Sequence, residues 1–570
     1  LVCLIRTVAA ETNDPLDRYN VVWDKPAASD KEDASMPIGN GDIGMNVSVE
    51  ANGDIVLLLS KTDAWSENQE LLKLGRVRLK LTPNPFTAGD GSFRQSLRLR
   101  QGEIGIAGGK GDKAVSLLIW VDANQPVIRV EVESASPVAL AAVLDPWRTK
   151  PDSNPGSGGF RHYYVKPAAA DTIYEGWKDR VVWYYRNAKS IWPVNLTTQG
   201  LESWIPKAAD PLLNRTFGGC IEGEGLVRKD AVTLESTEAR KRFTVSIRAN
   251  AASRLDQDKT AHRAWWNEFW NRSWIRATGS PQAETITLGY TLQRWINACG
   301  GRGVHAIKFN GSIFTVGWGG GDPDGREWGG GYWWQNTRLA YWPMLASGDF
   351  DLMMPLFRTY LDTLPLAEHR TKTWYEHGGA FFPEMMHFWG LHNDGDYGGK
   401  HKPIGVVGSG WIGRIYTSSP ELMAMLLDYY TFTGDDPFLR DKLLPVCDSL
   451  LEFFDKHYKI DENGHIRMYP GQALETWQNA ANPTPDVAGL HWVLRGLLSS
   501  PADKTGAERR AFWTKLDAKV PPIPMTEEDG ATFVLPAGEL FSGRGNSENA
   551  ELYAVFPFRL YGVGKPDLDI

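Results

Sequence analysis

A chain of 570 residues is longer than one ordinary core organises, and at about 100 to 200 residues per domain it divides into two to four. Its 61 Lys and Arg against 69 Asp and Glu leave a formal charge of -8 with no long run of either sign, which excludes the basic field of a nucleic-acid binder and favours neutral or small polar partners. Four cysteines, Cys3, Cys220, Cys299 and Cys447, lie far apart without CxxC spacing, so neither a zinc ribbon nor a disulfide scaffold is indicated.

The first ten residues, LVCLIRTVAA, read as the tail of a secretory signal: a short apolar run ending in small residues before the polar ETNDP. They predict export, to the exterior or the periplasm, with residues 1–19 as a signal remnant and leader. No other apolar run approaches the roughly 18 to 20 residues needed to cross a bilayer, so no membrane span is expected. From about 20 to 255 the pattern alternates. In PVIRVEVES, Ile128, Val130 and Val132 point one way while Arg129, Glu131 and Glu133 point the other, and GRVRLKL and RFTVSIRAN repeat the scheme. With Asn52-Gly53, Asn84-Pro85 and Asp90-Gly91 as turns, these residues predict an antiparallel β-sandwich.

After about 256 the period becomes helical, beginning with HRAWWNEFWNRSWI as a linker helix over 256–285. Residues 286–570 then predict an all-α domain of paired helices, a toroid, with elements at about 283–299, 333–347, 350–368, 419–433, a further helix after Asp436-Pro437, 483–499 and 503–518. Ser419 is the expected cap of the helix that Gly434 ends, and Leu422, Met425, Leu426 and Tyr429 its buried stripe. No fixed-period repeat marks a solenoid.

Within GGYWWQNTRLAYWPML, residues 330 to 345, Gln335, Asn336 and Arg338 interrupt an aromatic surface of Tyr332, Trp333, Trp334, Tyr341 and Trp342. A buried amide or guanidinium without partners costs on the order of 1 to 3 kcal/mol, so these groups either satisfy each other in a core or face a wet cleft. Rings that stack on C–H faces beside polar groups that fix hydroxyls are what a sugar site requires. The 24 tryptophans, many beside Gly-rich loops such as TVGWGGGDPDGREWGGGYWW, point the same way. DPDGRE lacks the full ligand pattern of a calcium loop and reads as a turn, and no metal site, phosphate loop or dinucleotide fingerprint is found, so no cofactor is expected. Farther on, Glu475 lies in a loop between Tyr469 and Trp477, where desolvation against aromatics would raise a carboxyl pKa toward that of a general acid. Glu384, Asp486, Glu548 and Glu551 are further carboxylate candidates.

Several of these stretches resemble glycoside hydrolase family 95, the inverting α-L-fucosidases and their relatives. MPIGNGDIGMNVSVEANGDIVLLLSKTDAW is similar to the opening of that family's N-terminal β-sandwich, and WQNTRLAYWP to its NxNxxMNYWP helix. YPGQALETW followed by PTPDVAGLHWVL is similar to its acid loop and the next helix. TGDDPFLRDKLLPVCDSLLEFF resembles a helix pair of the six-hairpin glycosidases, whose catalytic domain is an (α/α)6 barrel. The resemblance implies Glu475 as general acid and Asn336 as holder of the attacking water. Trp334 replaces the family's first asparagine, and Asn546, Glu548 and Glu551 stand where histidines would be, at sugar-contacting positions, as in a distant branch of the family. Glu551 becomes the candidate for substrate contact or base.

A barrel of twelve helices exceeds the roughly eight or nine legible by pattern, and in the resembled family the base comes from a later region, so the barrel is expected to be C-terminally incomplete. The expectation is an exported glycoside hydrolase that removes a terminal α-linked sugar from an oligosaccharide or polysaccharide by inversion. Glu475, Asn336 and Glu551 are the catalytic candidates, with Trp333, Trp334, Gln335, Arg338, Trp477, Glu384, Glu548 and Asn549 around the sugar. A phosphorylase of similar fold and a non-catalytic glycan-binding protein are the alternatives.

Overall fold

The computed structural model describes residues 14–27, 34–87, 91–153, 165–249, 258–317, 323–398 and 402–565. The signal-like start, Cys3, Asp90, Asp322 and the last residues of GKPDLDI lie outside these.

Alternating sequence gives an antiparallel β-sheet domain. Its organiser is the strand Val127–Leu144, 18 residues long, which takes part in two sheets. Its first half pairs with Val115–Val121 on one side and Arg240–Arg248 on the other, placing Val130 opposite both Ile119 and Val245. Its second half pairs with Leu71–Thr82 and Thr233–Ser236. Ile128, Val130 and Val132 are buried as the alternation requires, but Arg129 on the opposite face is buried as well, donating to the Ser246 hydroxyl at 2.6 Å. The last strand ends at Arg248, and the helix Lys259–Asn271 follows the undescribed residues.

The sheets and the helices meet at the GNG motif. A Cβ added at Gly39 would lie 2.3 Å from the carbonyl oxygen of Cys299, and Gly41 has a φ of +97°, so both positions need glycine. Between them the Asn40 amide donates to the carbonyls of Asp122 and Gln125 at 2.8 and 2.9 Å and accepts from the Ile43 N–H at 3.0 Å. Arg302 donates to the Ala123 carbonyl at 2.8 Å and lies 3.9 Å over the Trp265 ring. Trp266 stacks on Trp295 at 4.5 Å, fastening the helix Lys259–Asn271 to Pro281–Gly300.

The chain beyond is mainly helical. Phe350–Leu361 and Leu364–Tyr375 replace the single helix expected at 350–368. Ser418–Thr433 begins after Thr417 with no side-chain cap: the Ser419 hydroxyl, the expected cap, lies inside the helix and accepts the Phe382 N–H at 3.2 Å, and the Thr417 hydroxyl donates to Asp486. Every residue from Ser418 to Tyr429 is buried, not one stripe. A sequence apolar on all sides makes such a helix the centre of its region. Thr484–Ser499 packs against it. Gly434 ends it in the left-handed conformation, φ +64°, as expected.

The stretch expected as one helix over 333–347 is broken. Tyr332–Trp333 pairs as a strand with Met385–Met386. A one-turn helix, Trp334–Thr337, follows, then a 3-10 turn, Arg338–Ala340, and a second short helix, Trp342–Ser347. Pro343 stands in the first turn of the last, where its missing N–H is tolerated, and this restart breaks the run. Among the described residues no helix is long and apolar enough to cross a membrane.

Candidate active site

One cleft of about 450 Å³ gathers most of the polar groups singled out in the sequence: Gln335, Asn336, Arg338, Glu475, Glu548 and Asn549, with Asn546 and Trp333. The wall carrying Gln335 and Asn336 is the helix Trp334–Thr337, anchored from beneath by two buried carboxyls. Glu384 accepts the Gln335 N–H at 2.8 Å. Glu421 accepts from the Trp334 indole N–H and from Arg338 Nε, the latter at 2.8 Å. Arg338 also donates to the Gln335 carbonyl at 2.8 Å and to the Tyr553 hydroxyl at 2.6 Å. Burial raises the Glu421 carboxyl, against the pull of Arg338 and Trp334. Burial, reinforced by the charges of Glu421 and Glu475 and opposed by the Gln335 N–H and Arg338, pushes Glu384 well above the carboxylate range. The wall therefore presents its amides over one buried carboxyl and one ion pair.

Glu475 comes from a different element. It occupies the turn between the strands Gly471–Ala473 and Trp477–Pro483, which pair antiparallel, after Leu474 in the left-handed region at φ +59°. The turn is tied to residues 545–548. The Gly545 N–H donates to the Thr476 carbonyl at 2.7 Å, and Glu548 Oε2 accepts from the Glu475 N–H at 2.9 Å and the Thr476 hydroxyl at 3.2 Å. Asn546 donates to Glu475 Oε2 at 3.1 Å. The half-buried Glu475 carboxyl is held above the usual range, chiefly by burial and then by the charge of Glu548, against the Asn546 bond. A carboxyl so placed retains its proton to higher pH while still reaching the cleft. Phe309, Trp328 and Trp333 supply the aromatic side, Trp333 meeting Phe309 edge-on at 5.8 Å and Trp328 at 6.0 Å.

Four expected pocket residues lie elsewhere. Trp334 does not line the cleft: it is fully buried, its indole turned back to Glu421 and its ring against Tyr360. Glu384 lies under the wall, buried, and reaches the site only through the Gln335 backbone. Trp477 packs against the main core from the strand after the turn. Glu551 sits on the 3-10 turn Ala550–Ala554, which turns Ala550, Tyr553 and Ala554 inward, and among the described residues lining the cleft the turn is represented by Tyr553 and not by Glu551. Asp486 is also remote, its buried carboxyl accepting the Thr417 hydroxyl at 2.7 Å and raised by burial to about 7. In DPDGRE, Asp324 is engaged by Arg148 at 2.8 Å and the Trp147 indole at 2.7 Å, a structural use of the carboxylate.

Reasoning from sequence missed Glu421, Tyr553, Phe309 and Trp328. Glu421 had a signal: an acid inside SSPELMAMLLDYY, a helix otherwise built for burial, demands a partner.

Residues 22–251 match a family described as a domain of unknown function (DUF5703), and residues 323–491 match the glycosyl hydrolase family 95 catalytic domain. No curated protein matches the chain. Among solved structures, "Putative kojibiose phosphorylase from human microbiome" superposes with a TM-score of 0.53 at 12% identity, over 89% of this chain and 70% of its own. A bacterial glucoamylase complexed with acarbose gives 0.41 at 10% identity, over 91% and 72%, and the gh92 family glycosyl hydrolase ccman5 gives 0.37 at 11%, over 92% and 65%. The first shares the fold. Residues 323–491, the segment similar to the glycosyl hydrolase family 95 catalytic domain, hold both the amide wall and Glu475.

Proposed function

We propose that the protein hydrolyses a terminal α-linked glycoside with inversion, its helices forming part of an (α/α)6 barrel. The observation that carries this reading is the convergence of a half-buried carboxyl of raised pKa with side-chain amides and aromatic rings in one cleft. Glu475 donates its proton to the leaving oxygen. Gln335 and Asn336, projecting from a helix held rigidly from below, fix sugar hydroxyls and the attacking water. Glu548 keeps the acid turn in place. A carboxylate bonded to the acid's own peptide N–H lies on the acid's side of the cleft, so Glu548 is a positioning residue and not the base, which inversion places about 6.5 to 9.5 Å from the acid across the sugar. Export rests on LVCLIRTVAA alone.

Phosphorolysis, suggested by the name of one structural neighbour, requires cationic groups for the incoming phosphate. Among the described residues lining the cleft, the one cationic side chain is Arg338, and Glu421, Tyr553 and the Gln335 carbonyl engage it. This favours water. The test is a panel of terminal α-linked disaccharides with and without inorganic phosphate, product anomers being followed by NMR. Reducing sugar released as the β-anomer without phosphate is the expected result. A sugar phosphate formed only with phosphate, or binding without turnover, would overturn the hydrolytic reading.

A further inference from the structure

Trp328 combines an unusual backbone with an unusual exposure. Its φ is +62°, in the left-handed region where a bulky side chain is an outlier and glycine the default. The next residue, Gly329, is left-handed too, at φ +58°. The conformation is enforced from outside. The Asn310 amide donates to the carbonyls on both sides of Trp328, those of Glu327 and, at 3.4 Å, Gly329. Asn310 is held in turn by the buried Arg326, which donates to its backbone carbonyl at 2.7 Å and to its side-chain oxygen at 3.3 Å. Two side chains thus clamp a strained turn, and the result is an indole 45% exposed on the cleft, beside a Trp333 that is only 7% exposed.

A large ring left in water on a strained backbone adds little to folding, and strain of this kind persists where surrounding structure imposes it for function. We propose that Trp328 is a substrate platform at the cleft mouth, stacking on the apolar face of the pyranose ring of the leaving group. This rests on the reading of the cleft as a glycoside site and deepens it. The deep ring, Trp333, belongs with the terminal sugar. The exposed ring lies where the rest of the glycan emerges, and a flat indole face takes a neutral sugar there without needing a charge.

The test uses Trp328→Gly and Trp328→Ala in the full chain. Glycine relieves the backbone and removes the ring, while alanine removes the ring and leaves the strain. The expected results are a melting temperature for Trp328→Gly at or above that of the wild type and above that of Trp328→Ala. On disaccharides kcat/KM should fall by about tenfold or more, whereas on glycosyl fluorides of the same glycone, whose leaving group has no ring, it should stay within about twofold. Equal losses on both substrate types with a lowered melting temperature would make the ring structural and overturn the proposal, as would unchanged disaccharide kinetics. If the wild type binds disaccharides without cleaving them, the hydrolytic reading fails and Trp328 is judged by affinity: a loss of about tenfold in Trp328→Gly supports the platform, and no loss removes it. A wild type that binds none of the panel ends both.

Discussion

The helix Trp334–Thr337 and the turn Leu474–Thr476 deliver polar groups to one cleft, and they are held in opposite ways. The helix stands on buried acids: Glu421 in an ion pair with Arg338 and Glu384 under the Gln335 N–H, both out of contact with water. The turn is held from the side, by Glu548 and Asn546, and its own carboxyl is half in solvent. Groups that must keep their geometry, the amides of Gln335 and Asn336, are mounted rigidly. Glu475, the acid of the proposed mechanism, stays within reach of solvent, with a pKa raised by partial burial and a neighbouring charge.

The largest effect expected on the turn side is that of Glu475→Gln. The amide keeps the shape and can still accept from Asn546, but it has no proton to give to an alkoxide, so turnover of an unactivated glycoside should fall by about 10³-fold or more while sugar binding persists. Steady-state rates together with glycan titration check this, and near wild-type turnover would take the acid role from Glu475. On the helix side, Glu421→Ala leaves the Arg338 guanidinium buried beside Tyr553 without its countercharge. Breaking a buried pair costs about 3 to 5 kcal/mol, so the urea midpoint should drop sharply and activity with it. A stable, active Glu421→Ala protein would show that the wall does not depend on its buried acid. Asn336→Ala removes one exposed amide and no anchor: stability should change by less than about 0.5 kcal/mol while kcat/KM falls by about 10- to 100-fold. Destabilisation comparable with Glu421→Ala would mean that Asn336 belongs to the scaffold.

The same contrast explains what was legible in the sequence. Glu475 stood out because a lone carboxyl between aromatics in a turn-forming segment depends on local pattern, and Asn336 because an amide among aromatics has few uses. The antiparallel sheets were legible for the same reason: alternation in PVIRVEVES marks strand and apolar face, although the burial of Arg129 on the other face was not legible in it. The orientation of Trp334 was not legible. Spacing counted along a continuous helix put it on the cleft, but a strand pairing at Tyr332–Trp333 and a restart at Pro343 leave a single helical turn, whose buried face is chosen by Glu421, 87 residues away. Glu551 was assigned from the resemblance, and it stands off the cleft on the 3-10 turn Ala550–Ala554. Neither placement has a local signature. Trp328 needed the clamp by Asn310 to be visible, and nothing in DPDGREWGGG marks the tryptophan as left-handed.

The smallest and most discriminating change is Glu548→Gln. The new side chain's carbonyl oxygen can still accept the Glu475 N–H and the Thr476 hydroxyl, so the turn should keep its place. What disappears is a negative charge that, after burial, is the next cause raising the Glu475 carboxyl. With it removed the Glu475 pKa falls, and because a general acid is active only while protonated, the high-pH limb of kcat/KM should move to lower pH. The shift should be less than about one unit, since both groups are partly exposed and solvent screens them. The rate on the plateau below that limb should stay within a fewfold of the wild type. If Glu548 were instead the base, the amide would abolish hydrolysis at every pH, and added azide would restore turnover by attacking from the vacated side. A pH-rate profile of Glu548→Gln, with and without azide, separates a charge that tunes the acid from one that activates water.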